Sequence, residues 1–178
     1  MTAHKTVTCK DTLVVQTHRI MPFHTNSYGN LFGGQLLYFL DNASSISLTR
    51  LTNTLGMTAS IDNMNFLKPL PEGDSVCIES YVTGTGSTSV EVFAKIIGED
   101  LLSGSRYIAA TSFITFVVQL DEKNKKDFKM PDIVPETEEE KYICSGYKQR
   151  RKDRIRQRNH DQELQKKLSI QQPWKKDG

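Results

Sequence analysis

Apolar and polar positions along this chain change period once, and the change separates one helix from a run of strands. From Gln35 onward, Leu36, Leu37, Leu40, Ala43, Ile46, Ser47, Leu48 and Leu51 recur at helical spacing, which predicts a helix from about Gly34 to about Leu51. Upstream, Thr12 to Ile20 reads as a first strand. Downstream, only strands follow. Met57 to Phe66 is strand-like and stops at Lys68-Pro-Leu-Pro-Glu-Gly73, where prolines cannot donate to a ladder and glycine permits positive φ. Ser75 to Thr83 sets Val76, Ile78, Ser80 and Val82 against Cys77, Glu79, Tyr81 and Thr83, the period-two pattern of a half-buried strand. After a hairpin at Gly84-Thr-Gly86-Ser87, Val90, Val92, Ala94 and Ile96 share a face opposite Glu91, Phe93 and Lys95. Gly98 to Ser105 is a looser turn, and Arg106 to Leu120 is a long strand with both faces largely apolar.

A lone long helix followed by an antiparallel meander has only the sheet to pack on, so the sheet must curl around it. The element order therefore predicts an α+β hotdog fold: one central helix wrapped by a curved antiparallel β-sheet. Ala43, Ser44, Ser45 and Ser47 cluster on that helix, and small side chains let helix and sheet backbones approach closely. Past Leu120 the periodicity fades into the polar run Asp121 to Lys126, a solvated linker. Tyr142 to Leu168 reads as a weakly amphipathic helix, docked on a partner or frayed. Residues 1–120 are thus assigned to the folded domain and 121–178 to a charged C-terminal extension.

Composition narrows the class. A chain of 178 residues with 37% hydrophobic content suits one domain with a real core plus an appendage. No apolar run approaches the ~20 residues of a bilayer span, and Met1 to Lys10 is polar, so a soluble, cytoplasmic protein is expected. Cys9, Cys77 and Cys144 are odd in number and far apart, which suggests neither a disulfide framework nor a thiolate metal site. His4, His18 and His160 show no ligand spacing, and no metal is expected. The net charge of +2 hides an asymmetry: 7 basic against 9 acidic groups in 1–120, and 16 against 12 in 121–178. The excess is densest from Lys148 to Arg158, where seven cations face only Asp153. Such a run is most often a solvated helix face, and nucleic acid is not an expected partner.

The stretch from His24 to Asp41 carries the candidate chemistry. Gly33 and Gly34 strip side chains from the start of the helix, where free N–H groups could receive a ligand oxygen. Asp41 follows about two turns inside. On its own, such a carboxylate could simply sit favourably in the helix dipole, and Asn26 could simply cap a turn.

The run His24-Thr-Asn-Ser-Tyr-Gly-Asn-Leu-Phe-Gly-Gly-Gln-Leu-Leu37, with Asp41 four residues later, resembles the hotdog-fold acyl-CoA thioesterases of the acyl-CoA hydrolase group. The resemblance continues through Thr58-Ala-Ser-Ile-Asp62, Phe66-Leu-Lys-Pro69, Gly73-Asp74, Ala110-Thr-Ser-Phe113 and Thr115-Phe-Val117, covering roughly residues 11–120. It implies hydrolysis of acyl-CoA to free fatty acid and CoA at an interface between two protomers. The homodimer would be the minimum unit, commonly within a trimer of dimers. Asp41 would be the catalytic acid residue, Asn26 a catalytic asparagine from the opposite protomer, and Gly34 the helix end facing the thioester carbonyl. Such a reaction needs a water, a base and donors for the oxyanion, so no cofactor is expected beyond the CoA of the substrate itself. Contacts to the CoA phosphates are expected from cations and bare backbone N–H groups, with Lys68 and the turn holding Gly86, Ser87, Thr88 and Ser89 as candidates, and Gly33 and Gln35 are expected to bind substrate beside them. Two other readings compete. An acyl-CoA hydratase commonly has a histidine five residues after the aspartate, where this chain has Ile46. A non-catalytic, acyl-CoA-binding regulatory protein would have no need of both Asn26 and Asp41.

Overall fold

The helical period and the strand periods both fold as read, and the termini supply what the pattern does not reveal. The computed structural model describes residues 5–120, 128–172 and 174. In chain order the elements are β1 (Thr6–Thr8), α1 (Cys9–Thr12), β2 (Val14–Arg19), a 3-10 turn (Pro22–His24), α2 (Gly33–Thr52), β3 (Gly56–Phe66), β4 (Ser75–Thr85), β5 (Ser89–Glu99), β6 (Arg106–Val118), β7 (Asp132–Val134), α3 (Glu138–Ser145) and α4 (Tyr147–Gln165). The expected linker at 121–126 lies outside the described residues.

Five strands form an antiparallel sheet in the order β2-β4-β5-β6-β3. Its inner face presents Val76, Ile78 and Val82, then Val90, Val92, Ala94 and Ile96, then Ala110, Ile114 and Phe116. Against it α2 turns Leu36, Leu40, Ala43, Leu48 and Leu51, all buried. Burying these alternating side chains on one side is the main force that bends the sheet around the helix. The small residues act as expected: Ala43, Ser44 and Ser47 are fully buried. Ser47 Oγ lies 3.1 Å from the Ser80 carbonyl and 2.9 Å from Ser80 Oγ, a helix-to-sheet contact that a larger side chain would prevent. The helix ends at Asn53, whose left-handed φ of 51° lets its N–H close on Thr49.

The sequence pattern made β4 half-buried, and here the structure differs. All but Glu79 and Thr85 of its residues are buried, because the outer face is covered as well. Cys9 of α1 and Ile143 of α3 pack there with Tyr81 and Phe93. β1 also pairs in parallel with β7, Thr6 to Asp132 and Thr8 to Val134, so the first compact unit runs Met1–Cys144, past position 120. The second unit is Ser145–Gly178. The single helix read over 142–168 is two helices, with Gly146 between them. No residue of α4 is buried, and side-chain pairs such as Gln149–Asp153 and Gln157–Asp161 run along it. Among the described residues no helix is long and apolar enough to cross a membrane.

Candidate active site

The loop between β2 and α2 is fixed by its own polar groups. Pro22 starts the 3-10 turn, and its carbonyl accepts from Thr25 N at 3.1 Å and Thr25 Oγ1 at 2.7 Å. His24 is a structural member of this loop. Its Nδ1 accepts from Met21 N at 3.3 Å, and its carbonyl accepts from Phe32 N at 2.8 Å. Asn26 N donates to Asn30 O at 2.8 Å, and Gly29 takes the φ of +70° that closes the bend.

The Asn26 side chain has two ends with different fates. Oδ1 accepts from Tyr28 N at 2.9 Å and Asn30 N at 3.3 Å, an Asx turn. Because both partners are N–H donors, the carboxamide orientation follows from the network. Nδ2 makes no hydrogen bond among the described residues, so its two N–H donors remain available. Turn capping and ligand contact are therefore compatible in one residue.

Helix α2 begins beside this loop. Its N-cap Phe32 offers no side-chain acceptor, and the Leu36 N–H is the donor that reaches the Phe32 carbonyl. The N–H groups of Gly33, Gly34 and Gln35 thus belong to the unsatisfied first turn, at the positive end of the helix dipole. A Cβ on Gly34 would come within 2.5 Å of the Phe32 ring, so any other residue here would displace that ring. A cleft of about 400 Å³ opens here, bounded by Asn26, Asn30, Gly33, Phe66, Lys68 and Ala109. The Lys68 ammonium sits 5.4 Å from the Tyr107 ring centre, while Tyr107 donates its hydroxyl to the Pro69 carbonyl at 3.0 Å. That contact gives the cation a defined position at the cleft wall.

Asp41 lies further along α2, about 12 Å from Gly33 at helical rise, and it is half-buried. Thr58 of β3 donates its hydroxyl to Asp41 Oδ1 at 2.6 Å. No cation pairs with this carboxylate among the described residues. Asp41 is the single acidic residue of α2, and its second oxygen is left for another partner. Thr58 was not among the residues singled out from sequence, although it stands in the motif run Thr58–Asp62. Its contact depends on the register of β3 against β6, where Thr58 faces Phe116, and alternation alone does not fix a register.

The structure groups the remaining candidates unevenly. Gly33, Asn26 and Lys68 share the cleft, and Gln35 lies half-buried on the first turn of α2. The β4–β5 hairpin does not join them within one chain. Gly86 N donates to Ser89 O at 2.7 Å, and Thr88 O accepts from Val118 N at 2.8 Å, so Ser87 to Ser89 sit beside the end of β6. Ala109, at the cleft, lies near its start, on the order of 25 Å away along the strand. Among the described residues no group of three or more His, Cys, Asp or Glu is arranged to hold a metal ion.

The fold is of the hotdog type, with a polar cleft at the head of its central helix, and comparison with known proteins gives the family. Residues 28–104 match the model of the thioesterase superfamily. An uncharacterised acyl-CoA thioester hydrolase of Bacillus subtilis (strain 168) is 46% identical over 166 residues, covering 93% of this chain and 95% of the relative. An apo, hexameric acyl-CoA thioesterase superposes with a TM-score of 0.79 at 32% identity, covering 86% of this chain and 97% of the other. The Staphylococcus aureus acyl-CoA hydrolase, solved with butyryl-CoA, CoA and CoA disulfide, gives a TM-score of 0.84 at 28% identity over 92% of this chain and 98% of that one. This chain belongs to the acyl-CoA thioester hydrolase family of the thioesterase superfamily.

Proposed function

We propose that this protein hydrolyses acyl-CoA thioesters to free fatty acid and CoA, with Asp41 taking the proton of the attacking water. The observation that carries the reading is the state of Asp41. Its carboxyl group has no neutralising cation among the described residues and one oxygen held by Thr58 at 2.6 Å, so the other can act as a base of fixed aim. The bare first turn of α2, with Gly34 at its head, would receive the carbonyl oxygen as negative charge develops there. Water forms the new bond to carbon, the carbon–sulfur bond breaks, and the thiolate of CoA leaves with the proton Asp41 has taken. No cofactor enters this scheme.

Asn26 lies in the loop before α2 and Asp41 about two turns inside that helix, and the reading takes Asn26 from a second copy, where its unengaged Nδ2 would orient the water. The homodimer is then the minimum unit. A trimer of dimers is the larger assembly that this reading favours, in keeping with the hexameric relative. The exposed β3 edge, with Met57, Ile61 and Phe66 uncovered, supports such pairing. Gly33, Gln35 and Lys68 would contact CoA from the cleft, and the hairpin Gly86 to Ser89 would have to reach it from a neighbouring copy. The catalytic machinery lies within 1–120, and a cytoplasmic setting fits three cysteines without a disulfide framework.

Release of free thiol from acyl-CoAs, acetyl to palmitoyl, tests the proposal in the purified protein. Turnover is expected for at least part of the series, falling by ~10²–10⁴-fold in Asp41→Asn while the circular dichroism spectrum is unchanged. Absence of thiol release across the series, or undiminished turnover in that variant, would overturn it.

A further inference from the structure

On the sheet face turned away from α2, Cys9 and Cys144 bring their sulfurs to 3.7 Å across 135 positions of sequence. Each sulfur sits on a separately anchored segment. Cys9 opens α1, where Thr8 and Asp11 close a reciprocal cap: Asp11 N donates to Thr8 Oγ1 at 3.1 Å and Thr8 N to Asp11 Oδ2 at 2.9 Å. Cys144 lies in the last turn of α3. That helix is tied to the sheet by Glu139, whose oxygens accept from Lys95 Nζ at 2.9 and 3.0 Å. Both cysteines pack in one cluster with Tyr81, Phe93 and Ile143.

The two thiols are unequal. Cys9 is fully buried and Cys144 is partly exposed, so a small oxidant reaches Cys144 first. The hydrogen bond with Cys144, and then burial, hold the Cys9 thiol well above the usual thiol range, so Cys9 stays protonated until its neighbour changes.

We propose that Cys9 and Cys144 form a reversible disulfide when a hydroperoxide oxidises Cys144, stapling the N-terminal segment to α3. Atoms balance in two steps. The Cys144 sulfur attacks the peroxide, the O–O bond breaks, and the leaving oxygen takes the Cys144 proton, so a sulfenic acid remains. The Cys9 sulfur then attacks that sulfur, the S–O bond breaks, and the departing hydroxide takes the Cys9 proton as water. Two thiols are oxidised by two electrons, and the oxidant is reduced, hydrogen peroxide to two waters and an organic hydroperoxide to one alcohol and one water. Cys77 takes no part: it is buried in β4, opposite Thr17 of β2 and Ile97 of β5. The closed loop is long, so its cross-link removes much conformational freedom from the unfolded chain.

The test treats the reduced full-length protein with hydrogen peroxide, alkylates it under denaturing conditions and measures mass and melting. Expected are a loss of about 2 Da before alkylation, one alkylated cysteine instead of three, and a peptide joining Cys9 to Cys144. The melting midpoint should rise on the order of 10 °C and fall back with dithiothreitol, and Cys144→Ser should show no rise. Over-oxidation of Cys144 with Cys9 still alkylated, a cross-link that involves Cys77, or an equal rise in Cys144→Ser would each overturn the proposal.

Discussion

At the scale of the residue, the site depends on a few polar contacts whose removal has separable effects. Thr58 donates to Asp41 and is not among the residues that line the cleft, so Thr58→Val should lower kcat by roughly 10-fold, the worth of one hydrogen bond to a charged group, while KM stays near its original value. Steady-state kinetics on one acyl-CoA would show the split. A rise in KM with kcat unchanged would instead mean that Thr58 shapes the binding surface. Asn26 allows a sharper dissection. Asn26→Asp keeps the Oδ1 that accepts from Tyr28 N and Asn30 N, and so keeps the turn, but it loses both donors. Turnover should drop by ~10²-fold or more, as for loss of one oriented donor, with melting unchanged. Asp41 and Asn26 were legible through the His24–Asp41 run and what it resembles. Thr58 was hidden because its role is a matter of strand register, which no local spacing encodes.

At the scale of the element, packing against α2 makes one region sensitive to acid. His18 of β2 stacks on Phe39 with ring centres 4.0 Å apart, and His24 meets the same ring edge-on at 5.5 Å. Burial, and then the charge of His24, push the His18 pKa below its ordinary value. The unfolded chain therefore binds this proton more readily than the folded one. Stability is fully present above about pH 6.5, the unfolded value, and declines as the pH falls from there towards the lower folded pKa. Urea unfolding between pH 5 and 8 should show this decline, and His18→Phe should flatten it. An identical slope in the variant would assign the effect elsewhere. α2 and the five main strands were readable because each turns one apolar face to a shared core. β1, β7 and α1 were not, since three or four residues carry no measurable period. The double burial of β4 was missed for a related reason: Cys9 and Ile143 cover it from opposite ends of the chain.

At the scale of the whole molecule, the sheet ends in two edge strands, β2 and β3. β3 pairs with β6 and leaves its second edge open among the described residues, with Met57 at 59% and Phe66 at 60% exposure. Ile61→Lys should therefore break assembly by placing a charge on that edge. The expected result is a smaller species in sedimentation and a parallel loss of thiol release, with the secondary structure retained. An intact oligomer would place the interface on another surface. The same open edge has a consequence during biosynthesis. A ribosome that delivers this chain delivers a sticky ribbon, and until that edge is covered by assembly each copy can tangle with any other nascent strand. Cool, slow induction in a heterologous host should consequently recover more clear lysate protein than rapid expression at high temperature.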